Sequence, residues 1–186
     1  LSAKHPLLDS AKYDLDAWQL ATSTAGKRTY VRAYIGVGKG RRLPGSNMKV
    51  KLTLWVPPTC PTTLNNKFGK AKVEKITGPL RLTGAFCAFN LSELDGSVSV
   101  ESQYGNVDAR QISGSLDLRT KRGDVRLRDL RGDCAIQSEF GEVRIEAGSR
   151  TGNVKVQANK SEVTLELPSA PAHDLYLSCA YGDLTL

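Results

Sequence analysis

The sequence predicts an all-β chain: a single-stranded, right-handed β-solenoid of two-strand, 18-residue rungs with an N-terminal β cap. Three observations carry that expectation. Thirteen segments hold two apolar residues spaced two apart, and from Lys70 to Ile145 they recur every nine residues. Two unlike ladders follow the pairs, so the true repeat is eighteen residues. Glycine punctuates the halves at Gly69, Gly78, Gly96, Gly105, Gly114, Gly123, Gly132 and Gly141. A fixed internal period marks a repeat architecture, in which each unit buries its apolar face only against its neighbours.

The pairs run from Ala71/Val73 and Leu80/Leu82 to Val143/Ile145, then resume after short insertions at Val154/Val156, Val163/Leu165, Leu175/Leu177 and Leu184/Leu186. Because side chains alternate along a strand, both members of a pair point inward. After one half stands an apolar residue, Ile76, Leu94, Ile112 or Leu130; after the other stands Ser102, Thr120, Ser138, Ala158 or Cys179. The corner glycines are expected to supply either a positive φ or a close backbone approach. A helix would need apolar residues at i, i+3, i+4 and i+7, and each interior glycine would cost it about 1 kcal/mol. Parallel crossovers favour the right hand.

The first sixty residues lack the period. Strands are expected over 14–22, 28–37 and 48–56, with a basic loop, GKGRRLPG, before the third and Pro57–Pro58 closing it. Residues 1–60 therefore read as a lead-in that caps an open sheet edge, continuous with a solenoid of about six rungs over 61–186. No run approaches the roughly 20 apolar residues of a membrane-spanning helix.

The segments VKLTLWVPP, FGKAKVEKITGPLRL, YGNVDARQISGSLDLRTKRGDVRLRDLRG and FGEVRIEA resemble the adhesin family of bacterial cell-envelope β-solenoid proteins, auto-transporter-adhesin-head-like, over roughly residues 46–186. That resemblance implies an extracytoplasmic, non-enzymatic solenoid in the periplasm, at the outer-membrane surface or secreted. It supplies no catalytic residues.

After the corner glycines come Ser97, Asn106, Ser115, Asp124, Asp133 and Glu142, but a calcium roll needs glycine doublets and a second aspartate. Cys60, Cys87, Cys134 and Cys179 show no C-x-x-C spacing and read as scattered free thiols rather than zinc ligands. Asp108 and Asp117 should lie on opposite faces, Glu101 should pair in register with Arg119, and His5 and His173 lack a nucleophile motif. The expectation is a protein without catalytic residues, metal or cofactor.

Two surface features remain. Arg110, Arg126, Arg128 and Arg144 should share one outward face, with Arg119, Lys121 and Arg122 on the adjoining strand and corner. The position before alternate corner glycines reads Phe68, Phe86, Tyr104, Arg122, Phe140, Lys160 and Tyr181, an edge that must meet solvent because it holds cations. The edge reads first as a stabilising ladder and second as a ligand strip. Function accordingly reads as a scaffold or adhesin-like envelope protein. The alternatives are a binding module for acidic polysaccharide and a self-assembling filament. An anionic glycan or other envelope component is the expected partner class, and nucleic acid is not expected. Leu184 and Leu186 should form the inward pair of an open last rung, which anticipates self-association or a continuing chain.

Overall fold

The structure, a computed structural model, describes residues 2–4, 18–35, 49–168 and 173–186. Contacts divide the chain into two compact units, Leu1–Trp55 and Val56–Leu186. In the first, β1 (Ser2–Lys4) pairs antiparallel with β4 (Lys49–Lys51), and β2 (Trp18–Ala25) forms a hairpin with β3 (Arg28–Ile35). The third expected strand is corrected: residues 52–56 are not in a strand, despite the alternation at Leu52, Leu54 and Val56. The basic loop, His5 and the outer ends of the expected strands (14–17, 36–37 and 48) lie outside the described residues.

The second unit is the solenoid, with no helix among the described residues. One face stacks β5 (Thr62–Asn66), β7 (Leu80–Ala85), β9 (Val98–Gln103), β11 (Leu116–Lys121), the first part of β13 (Cys134–Ala147), the first part of β14 (Val154–Glu166) and β15 (Leu175–Ala180). The other stacks β6 (Gly69–Glu74), β8 (Cys87–Leu94), β10 (Val107–Ile112), β12 (Val125–Leu130), the second parts of β13 and β14, and β16 (Leu184–Thr185). Neighbours pair in parallel with an offset of eighteen residues, as in Val107↔Val125 and Leu116↔Val98. The offset lengthens at Cys134↔Val154 and Val154↔Leu175, where corner insertions are accommodated without loss of pairing. The stack has about seven turns rather than six. The additional half-turn is β5, whose first inward position holds Thr62 instead of an apolar residue.

The inward pairs from Leu80/Leu82 to Val163/Leu165 are buried, joined at one corner by Ile76, Leu94, Ile112 and Leu130. Leu94 lies three positions after Leu91, so an uninterrupted strand would turn it outward. The residue between resolves this: Lys75, Glu93, Gln111 and Asp129 all adopt positive φ (52–59°), which turns the chain and swings the next side chain inward. Each fully buried aliphatic side chain contributes about 1.5–3 kcal/mol of transfer free energy. At the last rung Leu184 is 39% exposed and Leu186 73% exposed, because no further described rung covers them.

Most corner glycines serve by close approach, not by φ. A Cβ on Gly96, Gly114 or Gly132 would drive into the carbonyl oxygen of the glycine one rung away. The opposite corner turns at non-glycine residues: Phe86, Tyr104, Arg122, Phe140, Lys160 and Tyr181 carry φ of 52–63°. The carbonyl of Pro58 accepts the N–H groups of Thr77 and Gly78, which ties the proline segment to the first corner.

Candidate functional site

The aromatic and cationic edge is the most continuous surface feature of the solenoid. Phe68 stacks on Phe86 with centroids 5.8 Å apart, and Phe86 on Tyr104 at 4.9 Å. Arg122 then lies between two rings, 5.5 Å from Tyr104 and 5.4 Å from Phe140, and the Lys160 ammonium sits 5.2 Å from Phe140. Tyr181 occupies the next left-handed corner. Stacking along the rod follows from register: one side chain per rung, at one backbone conformation, repeats at the strand spacing of about 4.8 Å. Each exposed cation–ring contact contributes about 0.5–1 kcal/mol, which offsets part of the cost of a left-handed non-glycine residue. The geometry also limits ligand chemistry here. Ring faces that would lie flat against a sugar are occupied by neighbouring side chains, so from Phe86 to Phe140 the edge offers mainly ring rims.

The arginines gather on one face as two columns. Asp108, Arg126 and Arg144 form one column, and Arg110, Arg128, Glu146 and Glu166 form the other. Arg144 reaches Glu166 at 2.5 Å and Glu146 at 3.7 Å, and Arg128 lies 3.9 Å from Glu146. Arg110 and Arg126 make no ion pair among the described residues. Exposed pairs of this kind contribute about 0–1 kcal/mol each. Arg119 stands in register with Glu101, yet its ion pair is with Asp117, two residues back on its own strand, at 3.7 Å. Asp108 on β10 and Asp117 on β11 occupy opposite faces.

Charge is divided between the two units. Residues 56–186 hold 16 Lys and Arg against 16 Asp and Glu, whereas residues 1–55 hold 10 against 3. The whole net charge of +7 therefore resides in the N-terminal unit.

The polar corner residues act on the backbone. Asn106 Oδ1 accepts the Asp124 N–H at 3.0 Å, and Asp124 Oδ1 accepts that of Glu142 at 3.2 Å. At the other corner Asp133 Oδ1 accepts the Asn153 N–H, and Asn153 Oδ1 that of Asp174. These oxygens close the rungs together. Among the described residues no group of His, Cys, Asp and Glu side chains is arranged to hold a metal ion. On the outer edge of the first face a shallow groove of about 610 Å³ passes Thr63, Arg81, Ser99, Asp117, Ala135 and Lys155. The sequence reading does not find it; its signal is the run of short outward residues Ser99, Asp117 and Ala135 between Arg81 and Lys155.

All four cysteines are unpaired. Cys87 accepts a hydrogen bond from Asn66 Nδ2 at 2.9 Å, and burial pushes its thiol up from the ordinary value. Burial, with the Asp117 carboxylate adding to it, pushes Cys134 from 9.0 up to about 12. A thiolate-directed reagent is therefore expected to label exposed Cys60 at once, and Cys87 and Cys134 only on unfolding. The Cys134 thiol is raised in the folded state, so its contribution is full below about pH 9 and is lost between pH 9 and 12. Urea titrations across that range should show an alkaline decline that Cys134→Ala reduces. Labelling of Cys134 at the rate of Cys60 would contradict the buried position.

Among curated proteins, and among solved structures, nothing matches the chain. A family model described as Toastrack DUF4097 matches residues 46–186, which takes in the whole stack of parallel rungs. The chain thus belongs to the Toastrack DUF4097 family.

Proposed function

We propose that the solenoid is a non-catalytic scaffold of the cell envelope, adhesin-like in form and working outside the cytoplasm. The observation that carries this reading is that its surface chemistry is largely spent on itself. Its charges balance, and Arg128 and Arg144 face Glu146 and Glu166. Most aromatic faces meet other side chains, and the corner carboxylates accept backbone N–H groups from the next rung. Groups arranged this way stiffen a rod; general acid–base chemistry would instead need them converging on one space. The envelope assignment leans on the sequence resemblance, and burial of Cys87 and Cys134 is compatible with an oxidising compartment.

The rival reading, an acidic-polysaccharide module on the arginine face, draws on Arg110 and Arg126. A salt gradient on a heparin column separates the two. The scaffold reading expects the full chain and its Arg126→Ala plus Arg128→Ala variant to elute at the same salt concentration. A clear shift of the variant to lower salt would assign ligand binding to that face and overturn the scaffold reading.

A further inference from the structure

We infer that one face of the β2–β3 hairpin binds an acidic polysaccharide in which neutral and charged sugars alternate. The hairpin turns at Gly26–Lys27, with Gly26 at φ 59° and Ala25 paired to Arg28. Alternation along β3 places Arg28, Tyr30, Arg32 and Tyr34 on one face and Val31 and Ala33 on the other. All four residues of the first set are exposed, Tyr30 at 51% and Tyr34 at 38%. Arginine thus alternates with tyrosine about every 6.8 Å along the strand, so like residues recur about 13.6 Å apart.

The partner strand sharpens the pattern. Opposite the tyrosines stand Ser23 and Gln19, and opposite the arginines stand Ala25 and Ala21. Each ring therefore has a neutral hydroxyl or amide beside it, and each guanidinium stands next to a methyl group that neither covers nor neutralises it. A ring face with a neutral hydrogen-bonding group suits an uncharged sugar, whose C–H face stacks and whose hydroxyls donate and accept. An open guanidinium suits a carboxylate or sulfate through paired N–H donors. No Asp or Glu lies between Trp18 and Ile35, and the unit's 10 basic against 3 acidic residues draw a polyanion toward it. An anionic bilayer fits less well, because Trp18, Leu20 and Val31 fall on the face opposite the arginines. A single-stranded nucleic acid shares the charge and the rings, but DNA lacks the sugar hydroxyls that Ser23 and Gln19 would meet.

The site lies on a different unit from the proposed scaffold and is tested separately. Titration calorimetry of the full chain would compare hyaluronan and unsulfated chondroitin, in which neutral and charged sugars alternate, with polygalacturonate, which is acidic at every unit, and with oligo(dT). Binding to the alternating polymers is expected, tightest of the set. Arg28→Ala plus Arg32→Ala should weaken it at least about tenfold and flatten its salt dependence. Tyr30→Ala plus Tyr34→Ala should weaken it about fivefold and leave the salt dependence unchanged. All four side chains are exposed, so the circular dichroism of both variants should match that of the parent. Absence of binding, equal affinity for polygalacturonate, tighter binding of oligo(dT), or full affinity in the arginine variant would each overturn the inference. Loss of affinity in Arg126→Ala plus Arg128→Ala, with the hairpin variants unaffected, would overturn both this inference and the scaffold reading.

Discussion

Gly114→Ala is expected to destabilise the solenoid by at least about 3 kcal/mol, near the upper end of single-substitution effects. The added Cβ would meet the carbonyl oxygen and carbon of Gly96, and both are backbone atoms held by their own rung. A flexible side chain could move aside; here the two rungs must part. Separating them disturbs the ladder on both sides of the corner, including the Ser113 N–H bond to Leu94 and the Val98 N–H bond to Ser115. The neighbouring exposed Ser113→Ala should change stability by no more than about 0.5 kcal/mol. Urea unfolding followed by circular dichroism reads both. Equal midpoints for the two variants would show that corner glycines are not held to their identity by close approach.

The second large effect concerns Phe89, the one aromatic ring in an inward pair. It stands in register with Val107, while Gly84 stands in register with Ser102. A Cβ on Gly84 would come within 2.6 Å of the Phe89 ring, so the missing side chain on one face makes room for the oversized one on the other. Phe89→Val should leave a cavity and cost about 2–3 kcal/mol, and Gly84→Ser should overpack by a comparable amount. The double substitution recreates the Val and Ser arrangement of the next rung. It should therefore cost at least about 1 kcal/mol less than the sum of the single changes. A double-mutant cycle giving simple additivity would mean that the two positions do not share this space.

What could be read from the chain differs by location for physical reasons. The inward pairs were legible because stacked rungs impose one volume and one polarity on each position, which Val, Leu and Ile satisfy. The edge from Phe68 to Lys160 was legible because Arg122 could not share an inward column with Phe86. Other features were not. The strand at Thr62–Asn66 begins with a threonine in an inward position, so the apolar pair that marks every other half is incomplete. The left-handed turns at Lys75, Glu93, Gln111 and Asp129 leave no mark in composition, since their side chains share neither size nor charge. Ion-pair choice escaped as well: register brings Glu101 beside Arg119, but side-chain rotation settles the contact on Asp117. The alternating face of the hairpin was in plain sight as Arg-Thr-Tyr-Val-Arg-Ala-Tyr, yet became meaningful only once pairing set Ser23 and Gln19 beside the tyrosines.

Backbone hydrogen bonds in the solenoid run from rung to rung, so they point along the rod while the strands cross it. That orientation governs its response to mechanical load. Tension between its two ends meets the bonds lengthwise and concentrates on one rung at a time, so the rod would unzip turn by turn. Shear along the strand direction meets every bond of a rung together and is resisted collectively. A tether of this construction would yield gradually under a pull, lengthening by one turn of chain at each step instead of breaking at a single threshold.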